Sequence, residues 1–126
     1  MGWTITDSKA LEDAIFKMKL KVASHIGIRE GMTVVDVGCG QGGFTASLAK
    51  IVGETGKILA VDVSDEYVKE FTERLNKYCV KSRVAFIQAD GTNLGEVLSS
   101  CVADVVTSFR LLEELKKCED MPKIID

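Results

Sequence analysis

Three aspartates and a run of glycines carry the chemistry that this sequence can offer. The stretch Val34-Val35-Asp36-Val37-Gly38-Cys39-Gly40-Gln41-Gly42-Gly43-Phe44 has the order of a strand, a glycine turn and a helix start. Gly38, Gly40 and Gly42 let the backbone bend sharply and approach a ligand closely. A helix that begins near Gly43 points unpaired N–H groups into the same crevice. Gly38, Gly40 and Gly43 also fit a dinucleotide fingerprint, with Asp62 as its distal acid, so the glycines alone do not separate the possible ligands. The acids do. Asp36, two residues before Gly38, is expected to face the crevice, where it would repel a pyrophosphate and attract an amino group or a sulfonium. Asp62 closes the next apolar run, and Asp90 follows the third, near where an adenine edge could lie.

Those acids meet only if strands and helices alternate. Residues 8–26 carry Leu11, Ala14, Ile15, Met18, Val22 and Ile26 at helical spacing, which predicts an amphipathic helix with that stripe inward. Gly27 is placed to end it. Residues 33–37 form a β-branched, almost wholly apolar run, as in a strand covered on both faces. A helix over 44–52 follows, then a strand over 57–63 that ends its buried part at Asp62. Ser64 can cap a helix whose stripe is Val68, Phe71, Leu75 and Tyr78. A third strand spans 83–88, and Asp90-Gly91 marks a turn. A short helix over 93–100, a fourth strand over 102–109 and a last helix over 111–118 complete the pattern. Strand–helix alternation predicts an α/β fold of parallel βαβ units with right-handed crossovers.

At 126 residues the chain suits one domain, with 1–30 as a leading helix and 31–126 as the βα core. A net charge of -3 gives no global field to attract nucleic acid or an anionic membrane. Lys17, Lys19 and Lys21 read as the solvated face of the first helix. No apolar run approaches a membrane span, and the first residues lack a secretory pattern. Gly2 with Thr6 satisfies the loose myristoylation pattern, which is short enough to arise by chance. The expected location is the cytoplasm. Cys39, Cys79, Cys101 and Cys118 form no CxxC pair and His25 is the lone histidine, so no metal site is expected and the thiols read as reduced. Cys39 reads as a small packing residue, and His25 as a partner of the helix dipole.

The stretch from Val34 to Gly42 resembles the first motif of the class I S-adenosylmethionine-dependent methyltransferases. Ile58-Leu59-Ala60-Val61-Asp62-Val63-Ser64 is similar to the segment that follows it in that family. Phe86-Ile87-Gln88-Ala89-Asp90-Gly91 resembles the adenine-proximal motif, and Ala103-Asp104-Val105-Val106 the opening of the fourth strand. The four occur in family order, nearest in flavour to the small-molecule group that includes the quinone-biosynthesis enzymes. The resemblance implies a Rossmann-like three-layer αβα sandwich with a parallel sheet in the order 3-2-1-4. It implies S-adenosyl-L-methionine as cofactor, S-adenosyl-L-homocysteine as product and a small-molecule acceptor. Asp36 would hold the methionine amino group, directly or through water. Gly38, Cys39, Gly40 and Gly42 would lie along the methionyl part. Asp62 would accept from the ribose hydroxyls, Val63 would pack on the adenine, and Asp90 with Gly91 would bind its edge. Ser108 and Phe109 would face the donor methyl. The sequence departs from the family in lacking its last three strands. The fourth strand is then an edge, expected to be covered by the last helix or paired with a second copy in a homodimer. A non-catalytic binding module and an NAD-binding domain stand as alternatives to the enzyme, and a shortened gene product or an isolated piece fits equally well.

Overall fold

The computed structural model describes residues 8–90, 93–99 and 103–108. Four short strands, β1 (Thr33–Val37), β2 (Lys57–Asp62), β3 (Val84–Gln88) and β4 (Val105–Thr107), form one parallel sheet in the order β3-β2-β1-β4. This is the Rossmann-like order expected from the sequence. Helices α1 (Ser8–His25), α2 (Gly43–Val52), α3 (Val68–Lys77) and α4 (Leu94–Ser99) flank it, and a 3-10 turn over Lys81–Arg83 leads into β3. The expected last helix, over 111–118, lies outside the described residues.

Alternation along the strands splits the core in two. Val34, Ile58 and Ala60 pack against Ala46, Leu48, Ala49 and Val52 of α2 and against Phe71 and Leu75 of α3. Val35, Val37 and Val61 pack with Ala89 on the other face. The register sets Asp36 beside Ala60 on one side and beside Thr107 on the other. Asp104 fixes the β1–β4 pairing at its start: its carboxylate accepts from the Thr33 N–H at 2.8 Å, and its own N–H donates to the Thr33 carbonyl at 2.8 Å.

Two expectations about helices change. Most of the α1 stripe does not face inward: Leu11, Ala14, Ile15, Met18 and Ile26 are exposed, Val22 packs half-buried against the core, and Ala23 is the buried residue of the helix. Phe16 anchors α1 instead, stacked on Tyr78 with ring centroids 3.9 Å apart, and the Glu12–Lys77 ion pair at 3.0 Å fixes the same flank. A large aromatic contact outweighs several aliphatic ones in choosing the face. Gly27 does end α1, at φ 101°, with the Ile28 N–H donating to the Ala23 carbonyl at 3.1 Å. Ser64 does not cap α3. Its hydroxyl accepts from the Glu66 N–H at 3.0 Å in a local turn, and the helix starts later, at Val68.

Candidate functional site

Asp36 shares the strand face of Val34, so its side chain points at α2. There the Thr45 hydroxyl donates to one carboxylate oxygen at 2.6 Å, and the Thr107 hydroxyl stands 3.3 Å from the other. Thr45 sits on the first turn of α2 and Thr107 closes β4, so the carboxylate joins three elements. It is 2% exposed. Asp36 is expected from the sequence to face the crevice; the strand parity that buries Val34 buries Asp36 too, so its carboxylate lies behind the turn and not on the open surface. Loss of water pushes its carboxyl up to about 6, and the neighbouring Asp62 charge adds to this, while the two hydroxyls and Lys19 oppose it.

The glycine turn follows at once. Gly38, Gly40 and Gly42 have φ of 74°, 55° and 83°, the left-handed region where a side chain is strained. The Gly38 and Cys39 N–H groups both donate to the Val61 carbonyl, at 2.7 and 3.1 Å. The Gly40 N–H donates to the Asp62 carboxylate at 2.8 Å, and the other Asp62 oxygen accepts from the Ser64 N–H at 3.2 Å. Asp62 therefore ties the turn to the end of β2 while staying partly open to solvent. Gly42 lies against the Phe71 ring, where an added Cβ would come within 2.8 Å of Cδ2. Cys39 is buried, and its thiol is pushed up by burial and by the Asp36 and Asp62 charges, which suits packing rather than reaction.

The other candidates spread outward from this centre. Val63, next to Asp62, is an apolar side chain left 59% exposed at the carboxyl edge of the sheet. Its carbonyl accepts from Gln88 Nε2 at 3.2 Å. Asp90 is exposed and forms a reciprocal cap with Asn93: its N–H donates to Asn93 Oδ1 at 2.7 Å, and its Oδ1 accepts from the Asn93 N–H at 3.3 Å. Gly91 and Phe109 lie outside the described residues. Ser108 is half-buried and lines a hollow of about 480 Å³ with Val22, Ile26, Phe44, Val105 and Val106. Among the described residues, no cluster of acids, cysteines and histidine could hold a metal ion.

Sequence reading missed Thr45 and Thr107. Thr45 falls inside an apolar helix and carries no motif. Thr107 could have been found by counting register, because pairing of Val34 with Val105 sets it opposite Asp36.

A strand-turn-helix of this geometry, with acids at the ends of two adjacent strands, can be set against known proteins. A family profile described as a methyltransferase domain matches residues 28–126. The chain belongs to this methyltransferase-domain family. The ubiquinone/menaquinone biosynthesis C-methyltransferase UbiE of Salmonella arizonae is 38% identical over 68 residues, which cover 54% of this chain and 27% of that protein. The crystal structure of a SAM-dependent methyltransferase from Aquifex aeolicus matches with a TM-score of 0.51 and 37% identity, covering 64% of this chain and 47% of that one. A putative rRNA-methylase from Clostridium thermocellum matches with a TM-score of 0.57 and 31% identity over 82% of this chain and 51% of its own. The chain thus spans about a quarter of the curated relative, at 27%, and about half of the solved structures, at 47% and 51%. No helix among the described residues is long and apolar enough to cross a membrane.

Proposed function

We propose that this methyltransferase domain binds S-adenosylmethionine at the carboxyl ends of β1 and β2 and serves methyl transfer to a small-molecule acceptor. One observation carries the choice of ligand. The Gly40 N–H, which a pyrophosphate would need, donates instead to Asp62, and a second carboxylate, Asp36, is buried behind the turn. Two anions at a glycine turn oppose a diphosphate and favour a ligand that bears an ammonium and a sulfonium.

The residues present fit that ligand. Asp62 accepts two N–H bonds and keeps lone pairs for ribose hydroxyls. The exposed Val63 offers an apolar face to an adenine ring. Gly38, Cys39, Gly40 and Gly42 would lie along the methionyl part, with Asp36 acting on its amino group through water or through its field. Asp90 and Gly91 would meet the adenine edge. Ser108, beside the apolar hollow of β4, would lie toward the acceptor, and that lining suits a small and largely apolar molecule. When bound, the cofactor supplies an activated methyl on a good leaving group, so the chain's own task is orientation and exclusion of water. A cytoplasmic location is part of the same proposal.

Thermal unfolding with S-adenosylmethionine and with NAD tests the proposal. At a hundred times its dissociation constant a ligand adds about 2.7 kcal/mol, roughly 10 °C in Tm for a chain of this size. Stabilisation by S-adenosylmethionine alone supports the reading, and stabilisation by NAD alone overturns it. Transfer of labelled methyl groups to an acceptor pool then tests catalysis.

A further inference from the structure

We propose that Thr45 and Thr107 are positioning residues of the cofactor site: their hydroxyls hold the Asp36 carboxylate behind the glycine turn, and so couple cofactor binding to the charge on that carboxylate. This rests on the S-adenosylmethionine reading above and extends it to two hydroxyls that are turned toward Asp36.

The geometry is specific. Asp36 is 2% exposed, Thr45 is fully buried and Thr107 is 8% exposed. Each hydroxyl addresses a different oxygen of one carboxylate. Thr107 stands equally close, at 3.3 Å, to the Val35 carbonyl, so its single proton is divided between two acceptors. Thr45 is therefore the stronger donor. The charged groups that act on Asp36 are Asp62 at the end of β2, which opposes ionisation, and Lys19 of α1, which favours it. Cys39 of the turn, whose thiol is pushed up by burial and by Asp36, adds no charge, and what α2 and β4 bring to the carboxylate is the two hydroxyls.

A buried carboxylate served by two neutral donors is poorly compensated. It has two remedies: to take up a proton, or to gain a cation. A sulfonium amino acid supplies positive charge beside the turn, and by linkage it draws Asp36 toward its ionised form. The bond between carboxyl oxygen and proton breaks, and the proton leaves to solvent as the cofactor enters. Near pH 6, where the free protein is part protonated, binding releases a fraction of one proton. Near pH 8 it releases none from this group. Loss of the Thr45 hydroxyl favours the protonated form further and moves the binding midpoint to higher pH.

Isothermal titration of the full chain with S-adenosylmethionine, in two buffers of different ionisation enthalpy at pH 6 and pH 8, reads the proton count directly. The expected result is release at pH 6, absent in Asp36→Asn. In Thr45→Val, affinity at pH 6.5 should fall at least about tenfold and recover toward the parent value at pH 8, with Thr45→Ser restoring the parent profile. Carboxyl titration followed by NMR in the ligand-free protein should show the same upward move of Asp36 in Thr45→Val, and a smaller one in Thr107→Val. If Thr45→Val is unstable, proton release by the parent, its loss in Asp36→Asn and the Asp36 titration in Thr107→Val keep the test decisive. Binding of S-adenosylmethionine with no proton release, or with an unaltered pH profile in Thr45→Val, overturns the coupling and leaves the cofactor reading standing. Failure of the parent protein to bind S-adenosylmethionine at any pH overturns both.

Discussion

The Thr45 hydroxyl lies 2.6 Å from the Asp36 carboxylate, and Thr107 lies 3.3 Å from the other oxygen. Asp36 is an acid among the buried valines Val34, Val35 and Val37 of β1. A family motif places it there, yet the fold gains little from it. In the proposed site its stability cost would serve ligand binding, a trade common at functional sites.

The pH dependence of stability follows with a definite sign. The native carboxyl is raised from 3.8 to about 6, so between those values the native state binds more protons than the unfolded chain. Stability from this group is retained below the unfolded value and falls as pH rises through the native one, by at most about 3 kcal/mol. Asp36→Asn should remove the fall. Denaturant unfolding at pH 4.5 and pH 7.5 should find the variant more stable than the parent at the higher pH, by about 1–3 kcal/mol, with a smaller difference at the lower. A parent-variant difference that does not change with pH would show that Asp36 keeps its ordinary carboxyl behaviour.

Three glycines should respond differently to alanine. At Gly42 (φ 83°) a Cβ meets the Phe71 ring within 2.8 Å, so both backbone and packing object. At Gly56 it collides with the Val52 side chain and carbonyl, which belong to α2 and cannot swing away. At Gly43 it meets Lys19 Nζ at 2.5 Å, the end of a flexible side chain, and the backbone is helical. Chemical denaturation should show Gly42→Ala and Gly56→Ala losing about 2 kcal/mol or more, and Gly43→Ala within about 1 kcal/mol of the parent. Gly56 makes the comparison informative, because it lies at the far end of α2 from the turn and its loss should reach stability alone.

The strands and the glycine turn were legible because each rests on a local signal: β-branched runs mark strands, and positive-φ positions demand glycine. The order of the strands came from the family resemblance, because no local run records its neighbour in the sheet. The α1 face was not legible. Leu11, Ile15 and Met18 carry the stronger stripe in sequence, but Phe16 finds a ring to stack on, and that ring, Tyr78, comes from the end of α3. Periodicity along one helix contains no record of a partner far away in the chain. The same holds for Thr45 and Thr107. Their contacts exist only once α2 and β4 are laid against β1, so sequence could single out the motif aspartate but not the hydroxyls that hold it.

Cysteine chemistry offers a check on the burial of the turn. Cys79 is exposed, whereas Cys39 is buried with its thiol held well above the ordinary range. A thiolate is the reacting species, so burial and protonation both slow Cys39. Limited alkylation at pH 8 followed by peptide mass mapping should find Cys79 labelled at least about tenfold faster than Cys39. Equal rates would mean that the turn opens readily in solution.

Asp62 is the residue on which the turn and the proposed ligand both depend. One of its oxygens accepts from Gly40 and the other from Ser64, so removal of the carboxylate frees two backbone N–H groups at once. Each lost bond in such a partly buried place is worth about 1 kcal/mol. Asp62→Ala should therefore lose about 1–2 kcal/mol in stability and speed amide hydrogen exchange at Gly40 in the ligand-free protein. The same variant should weaken S-adenosylmethionine binding by about a hundredfold, since the ribose acceptors go with the turn's anchor. Asp62→Asn keeps one oxygen and should fall between. It can still accept from one N–H, but its amide nitrogen now faces the other and cannot serve it. Exchange at Gly40 and affinity should change together across the two variants, because one carboxylate serves both. Unchanged exchange at Gly40 in Asp62→Ala would separate the two roles and leave the turn to hold itself through the Gly38 and Cys39 bonds to Val61.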